Sequence, residues 1–248
     1  MTPFGDSPRS RSTPYVNIAI IALNLIVFLY EVSLSHQAYI GRATELDRFI
    51  FDWGNIPACT FDAIGWNRNL IGTSAGICNG QPHPAWTMFT AMFIHASWIH
   101  VLGNMLFLWI FGDNVEDAMG HLRYAIFYFV VGIAGAITYG IVNPDSPTPA
   151  IGASGAIAGV MGAYIVLYPR ALIYIFYVPI PALVLIGVWF LSQLVSGFSS
   201  LGVDAARTGG GVAYFAHIGG FVAGALLVSL FASKRRRRLR PRDPLDVW

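Results

Sequence analysis

Residues 12–30, 124–144, 171–203 and 208–233 each run without a single Asp, Glu, Lys or Arg. Each stretch is near or above the roughly 18 to 20 residues that a helix needs to cross a bilayer. Two shorter apolar runs join them: 99–112, which ends at Asp113, and 154–168, which ends at Pro169-Arg170. Backbone at membrane depth must satisfy its own hydrogen bonds, and a helix does so within one segment. The pattern predicts an all-α membrane protein, a bundle of six transmembrane helices.

Composition supports that solvent, since hydrophobic residues make up 55% of the chain and charged ones only 11%. The few charges are placed unevenly. Arg9 and Arg11 precede the first run, Arg170 lies between the fourth and fifth, and Lys234-Arg235-Arg236-Arg237-Arg238 follows the sixth. The positive-inside rule then puts both termini in the cytoplasm, which requires an even number of spans. Residues 1–14 become a cytoplasmic tail, 15–233 the six-helix domain and 234–248 a basic cytoplasmic tail. The tail is expected to rest on anionic lipid as a topology anchor, and nucleic acid is not expected as a partner. The polar head is too rich in Pro and Ser for a cleaved signal, so the first helix is read as retained. Without an organelle presequence, the expected location is a bacterial inner membrane.

With that topology the long loop 36–97 faces outside and carries both cysteines, Cys59 and Cys78. The compartment permits a disulfide, but spacing leaves open whether they pair or stay thiols. Trp53, Trp66, Trp86, Phe49, Phe51 and Phe61 in the same loop suit a segment lying partly among lipid headgroups. The Gly- and Ser-rich stretch 196–211 is a candidate mobile element.

Against this apolar background two groups stand out: Ser154 in Ile151-Gly152-Ala153-Ser154-Gly155-Ala156, and His217 in Ala216-His217-Ile218-Gly219-Gly220. Counting back at about 1.5 Å per residue from the cytoplasmic ends, Ser154 stands roughly 21 Å up, His217 roughly 24 Å and His100 roughly 20 Å. They share one layer, below the outer surface. Asn104 lies four residues after His100, hence on the same helix face. The short fourth run must begin inside the membrane, and its first N–H groups are unpaired donors at the positive end of a helix dipole. An oxyanion forming beside Ser154 would find them waiting.

Each feature has a plainer reading. Gly-Ala-Ser-Gly is a common packing surface, and Gly220 with Gly224 is a Gly-x-x-x-Gly pair that brings helices together. His217 alone could be a structural donor, Asn104 interhelical glue, and His95 a support for the entrance to the second run. Coincidence of depth, direction and type favours catalysis. A transporter would want ionised residues inside the spans, which are missing. A metalloprotease would want His-Glu-x-x-His, and neither His95 nor His100 is followed by Glu. No metal or other cofactor is expected.

The set His95, His100-Val101-Leu102-Gly103-Asn104, Gly152-Ala153-Ser154-Gly155 and Ala216-His217-Ile218-Gly219-Gly220 with Gly224 resembles the rhomboid family of intramembrane serine proteases. The resemblance implies a six-helix core and a Ser-His dyad without an acidic third member, hydrolysing peptide bonds of membrane-anchored proteins. By position, Ser154 is the nucleophile and His217 the general base and acid. His100, Asn104 and the Ser154 N–H make the oxyanion hole, with Gly152 shaping it and Gly155, Gly220, Gly224 and His95 supporting. Some members carry a tyrosine one turn after the serine that stacks on the base; here Ala158 stands there. What orients His217 is therefore not named by the sequence. A Trp-Arg pair of the first outer loop is replaced by Trp66-Asn67-Arg68. The alternative within the same fold is a catalytically silent rhomboid-like factor that binds membrane clients without cutting them.

Overall fold

The computed structural model describes residues 4–35, 44–63, 65, 78, 81–201 and 212–232. Strand β1 (Phe4–Ser7) is followed by helix α1 (Tyr15–Ser35), then by α2 (Glu45–Trp53) and α3 (Pro57–Ala63) in the loop. Short helical turns over Pro84–Phe93 lead into α4 (Trp98–Met119), α5 (His121–Val142) and α6 (Ser154–Leu167). A hairpin of β2 (Leu172–Ile175) and β3 (Val178–Pro181) connects to α7 (Ala182–Ser199), and α8 (Tyr214–Phe231) follows. Helices α1, α5, α7 and α8 are long and apolar enough to cross a membrane, and α4 with the turns bent 80° from it would make a fifth. The expected segments Trp66-Asn67-Arg68, 202–211 and the basic tail Lys234-Arg235-Arg236-Arg237-Arg238 lie outside the described residues.

Two boundaries differ from the apolar pattern. The run 171–203 does not form one helix, because its first third is the β2–β3 hairpin, so the protein is not all-α. Pro179 and Pro181 cannot continue a helix. Phe176 (φ 48°) and Tyr177 (φ 69°) supply the two positive-φ residues of a tight hairpin turn. β1 pairs antiparallel with β2, giving a three-stranded sheet in the order β1-β2-β3.

Helix α4 also continues through Asp113, Glu116 and Asp117 to Met119. These acids are tolerated because partners reach them. Glu116, fully buried, accepts from the first amides of α1, Val16 N–H at 3.0 Å and Asn17 N–H at 2.7 Å. A carboxylate there meets the positive end of the α1 dipole. Ser10 Oγ donates to Asp113 at 2.9 Å, and Ser12 Oγ to Asp117. The N-terminal segment is thus folded onto the bundle rather than trailing from it.

Helix α6 is the central element, with every residue from Gly155 to Tyr164 buried. Around it the other helices turn aliphatic side chains outward, such as Val188, Leu191 and Val195 on α7 and Val222, Leu226 and Leu230 on α8. Lipid accepts these, so burial alone does not hold the helices together and close packing must. Glycines provide it. A Cβ at Gly220 would strike the Gly155 carbonyl, one at Gly224 the Gly159 carbonyl, and one at Gly162 the Phe221 carbonyl. Backbone therefore touches backbone along the α6–α8 contact, which fixes how the first turn of α6 faces the first turn of α8.

Candidate active site

Ser154 is the first residue of α6, and His217 lies in the first turn of α8. Their side chains meet: Ser154 Oγ and His217 Nε2 are 2.7 Å apart. His217 is buried, and its other ring nitrogen, Nδ1, stands 2.7 Å from Gln193 Oε1 on α7. The Trp189 ring, one turn before Gln193, lies 5.8 Å from the imidazole at 36°.

Of the other expected residues, His100 and Gly152 adjoin the serine. Gly152 takes φ +120°, a conformation that a side chain resists, and a Cβ there would stand 2.8 Å from His100 Cε1 and 2.9 Å from Nε2. The same point lies 3.7 Å from Ser154 Oγ, so the imidazole of His100 and the serine hydroxyl flank this glycine. The Gly152 N–H is already committed to the Ala91 carbonyl at 2.8 Å. Gly152, expected to shape the oxyanion hole, therefore meets the site through its missing side chain, with its own N–H already bonded. Asn104 Nδ2 is buried with no hydrogen-bond partner among the described residues. The first backbone bond of α6 runs from Ile157 N–H to the Ala153 carbonyl at 3.0 Å, which leaves the N–H groups before it outside the helical ladder.

His95 sits one step back. Its backbone N–H donates to the Glu31 carboxylate near the end of α1 (3.1 and 3.3 Å), and its ring meets His100 edge-on with centroids 5.0 Å apart. Gly155, Gly220 and Gly224 belong to the α6–α8 contact rather than to the polar cluster.

The loop between α1 and α4 is tied to the segment that precedes Ser154. Asn55 and Ala150 exchange backbone hydrogen bonds at 3.2 and 2.8 Å, and Ala58 N–H reaches the Ser146 carbonyl at 3.2 Å. Cys59 of α3 is joined to Cys78 by a disulfide. Among the described residues no three His, Cys, Asp or Glu side chains are grouped to hold a metal ion.

Gln193 and Trp189 are the site residues that sequence reasoning passed over. A signal existed, because Ser192-Gln193 is a polar pair inside the apolar run 171–203, and an amide at that depth seeks a partner inside the bundle. The rotation of α7 about its axis, which decides where Gln193 points, was not readable from the pattern.

The family model for the rhomboid domain matches residues 82–234. Rhomboid protein 1, mitochondrial, of Saccharomyces cerevisiae is 31% identical over 154 residues, covering 59% of this chain and 42% of the yeast protein. The rhomboid YdcA of Bacillus subtilis is 27% identical over 186 residues, 74% of this chain and 83% of that protein. Rhomboid protease GluP of the same organism is 33% identical over 144 residues, 57% of this chain and 26% of its own length. The chain thus spans less than half of the yeast relative and most of YdcA. With the rhomboid domain matched over more than half of its residues, and apolar helices packed around one buried helix, the chain is an integral membrane protein of the rhomboid family.

Proposed function

We propose that this protein is an intramembrane serine endopeptidase that cuts transmembrane segments of other membrane proteins near the outer surface, with Ser154 as nucleophile and His217 as general base and acid. One observation carries the reading: the 2.7 Å approach of Ser154 Oγ to His217 Nε2 across the α6–α8 contact. A serine hydroxyl is a weak nucleophile until a base within hydrogen-bond reach can take its proton.

In the proposed cycle His217 removes that proton as Oγ attacks the scissile carbonyl. The Ser154 N–H, Asn104 Nδ2 and His100 receive the charge on the oxyanion. Leaving the Asn104 amide unpaired in the resting site costs free energy, and the developing oxyanion supplies its partner. His217 then protonates the leaving amine, and a water molecule repeats the steps on the acyl-enzyme. A helical carbonyl is occupied by its own backbone bond, so a substrate helix has to unwind locally before it fits.

We read the bundle as six spans with both termini on the cytoplasmic side. Arg9, Arg11 and Arg170 support this, since they belong to the end of the bundle opposite Ser154. A bacterial inner membrane is the location we propose, beside relatives that come from bacteria, yeast mitochondria and plants alike.

The test is cleavage of a reporter membrane protein by the full chain and by Ser154→Ala. Loss of cleavage is expected, and undiminished cleavage rejects the proposal. A fluorophosphonate should label Ser154 in the parent and not in His217→Ala. A parent that neither cuts nor takes the label would instead be a silent binding factor.

A further inference from the structure

We propose that Gln193 is a positioning residue for the reaction: its side-chain carbonyl accepts the Nδ1–H of His217, fixing the tautomer whose bare Nε2 faces Ser154. The proposal rests on reading Ser154 and His217 as nucleophile and base.

The argument is a chain of donors and acceptors with one consistent direction. Gln193 Nε2 stands 3.0 Å from Ser192 Oγ and 3.5 Å from the Trp189 carbonyl of its own helix. Ser192 Oγ donates to that same carbonyl at 2.6 Å, so its oxygen is left to accept from Gln193. The amide nitrogen is thereby turned toward the α7 backbone, and the carbonyl end, which can only accept, faces His217 Nδ1 at 2.7 Å. Nδ1 must then carry the ring proton. Nε2 is left with its lone pair, and the Ser154 hydroxyl donates into it at 2.7 Å. Turning the amide over would set its carbonyl against the Trp189 carbonyl and present an N–H to Nδ1. The proton would move to Nε2, and the base would be spent.

Gln193 and His217 are both buried, so water does not compete for either end of this contact. Trp189 packs beside the imidazole, and Phe190 stacks on Phe221 at 4.1 Å, holding α7 against α8 at the level of the contact. A carboxylate, the usual partner of a catalytic histidine in water-soluble triads, is costly at membrane depth. A neutral amide supplies the acceptor without the charge. With Ala158 offering no ring to stack on the base, the contact with Gln193 and the Trp189 ring are what hold the imidazole.

The experiment compares the full-length protein with Gln193→Met, which keeps length and removes the acceptor, and with Gln193→Glu, which keeps an acceptor there. Cleavage kinetics, fluorophosphonate labelling of Ser154 and Tm are measured on each. The methionine variant should lose roughly ten- to hundredfold in kcat, less than the 10²–10⁴ that the positioned base itself contributes, because the base is still present. Its KM and Tm should stay at parent values, labelling should slow in proportion, and the glutamate variant should recover part of the loss. Full kcat in the methionine variant overturns the proposal, as does a joint fall of both variants with a lowered Tm. Ser154→Ala separates the two readings. If it abolishes cleavage while Gln193→Met does not lower it, only the role of Gln193 falls, whereas cleavage surviving in Ser154→Ala overturns both.

Discussion

Gly224 on α8 lies so near the carbonyl of Gly159 on α6 that no side chain fits between them. The next contact toward the site, Gly220 against Gly155, is made the same way, and Ser154 and His217 follow directly from it. The distance between nucleophile and base is therefore set by backbone contact rather than by side-chain choice.

Gly224→Ala should push α8 away from α6 and separate the pair. Forcing a methyl into a closed contact costs about 1–3 kcal/mol. The expected outcome is a lowered Tm together with slower fluorophosphonate labelling of Ser154, although residue 224 lies far from the reacting atoms. Parent labelling rates with a lowered Tm would show that the site does not depend on this contact.

Asn104→Ala removes a buried donor that has no hydrogen-bond partner among the described residues. Loss of one oxyanion donor costs about 10²–10³ in kcat. Because the amide makes no bond before the reaction, its removal should leave Tm near the parent value, and steady-state kinetics with a thermal melt check both. A variant with unchanged kcat would exclude Asn104 from the oxyanion hole.

Asp6 gives the protein a pH dependence at the end of the bundle away from the serine. Burial pushes its carboxyl up from 3.8 to about 7, and Asp113 nearby adds to the rise, against hydrogen bonds from Tyr164 and Asn114. The folded value lies above the unfolded one. Its contribution to stability is therefore full below the unfolded value and is lost as pH rises through about 7. The Tm of the parent should fall by several degrees between about pH 4 and pH 7, and Asp6→Asn should flatten that slope. Parallel melting curves for the two proteins across this range would show that Asp6 does not control it.

The Cys59–Cys78 bridge closes a loop with a sequence separation of 19. A loop of that length stabilises by roughly 3 kcal/mol in the chain-entropy account. The double variant Cys59→Ser with Cys78→Ser should melt lower and become sensitive to limited proteolysis near α3. Since Ala58 and Asn55 hold residues 146 and 150 ahead of Ser154, Ser154 labelling should slow as well. Unchanged melting and proteolysis would assign the bridge no structural weight.

Much of the architecture was legible because lipid imposes a single demand on the backbone. Each apolar run contains one helix, and the short run beginning at Ser154 starts its helix at that residue. The same demand hid the hairpin. Ile173, Ile175, Val178 and Ile180 are as apolar as a span, and only Pro179 and Pro181 marked the break. The end of α4 was obscured for the opposite reason, since Asp113, Glu116 and Asp117 look like a boundary until their partners from 100 or so positions away are in place. At the site, equal depth pointed to Ser154, His217 and His100 as neighbours. What faces Nδ1 of His217 depends on how α7 is turned, and hydropathy does not encode that angle when most of a helix faces lipid.

The strand β1 has a consequence for how the molecule is made. It precedes every helix in the chain, yet its partner β2 is synthesised only after α6, and the buried carboxyl of Asp6 rests on Asn114 and Tyr164 from α4 and α6. Pairing over so long a separation waits until both ends exist. The opening segment must therefore stay unpaired while α1, α4, α5 and α6 are laid down. The docked strand therefore records that the helices between β1 and β2 have been laid down.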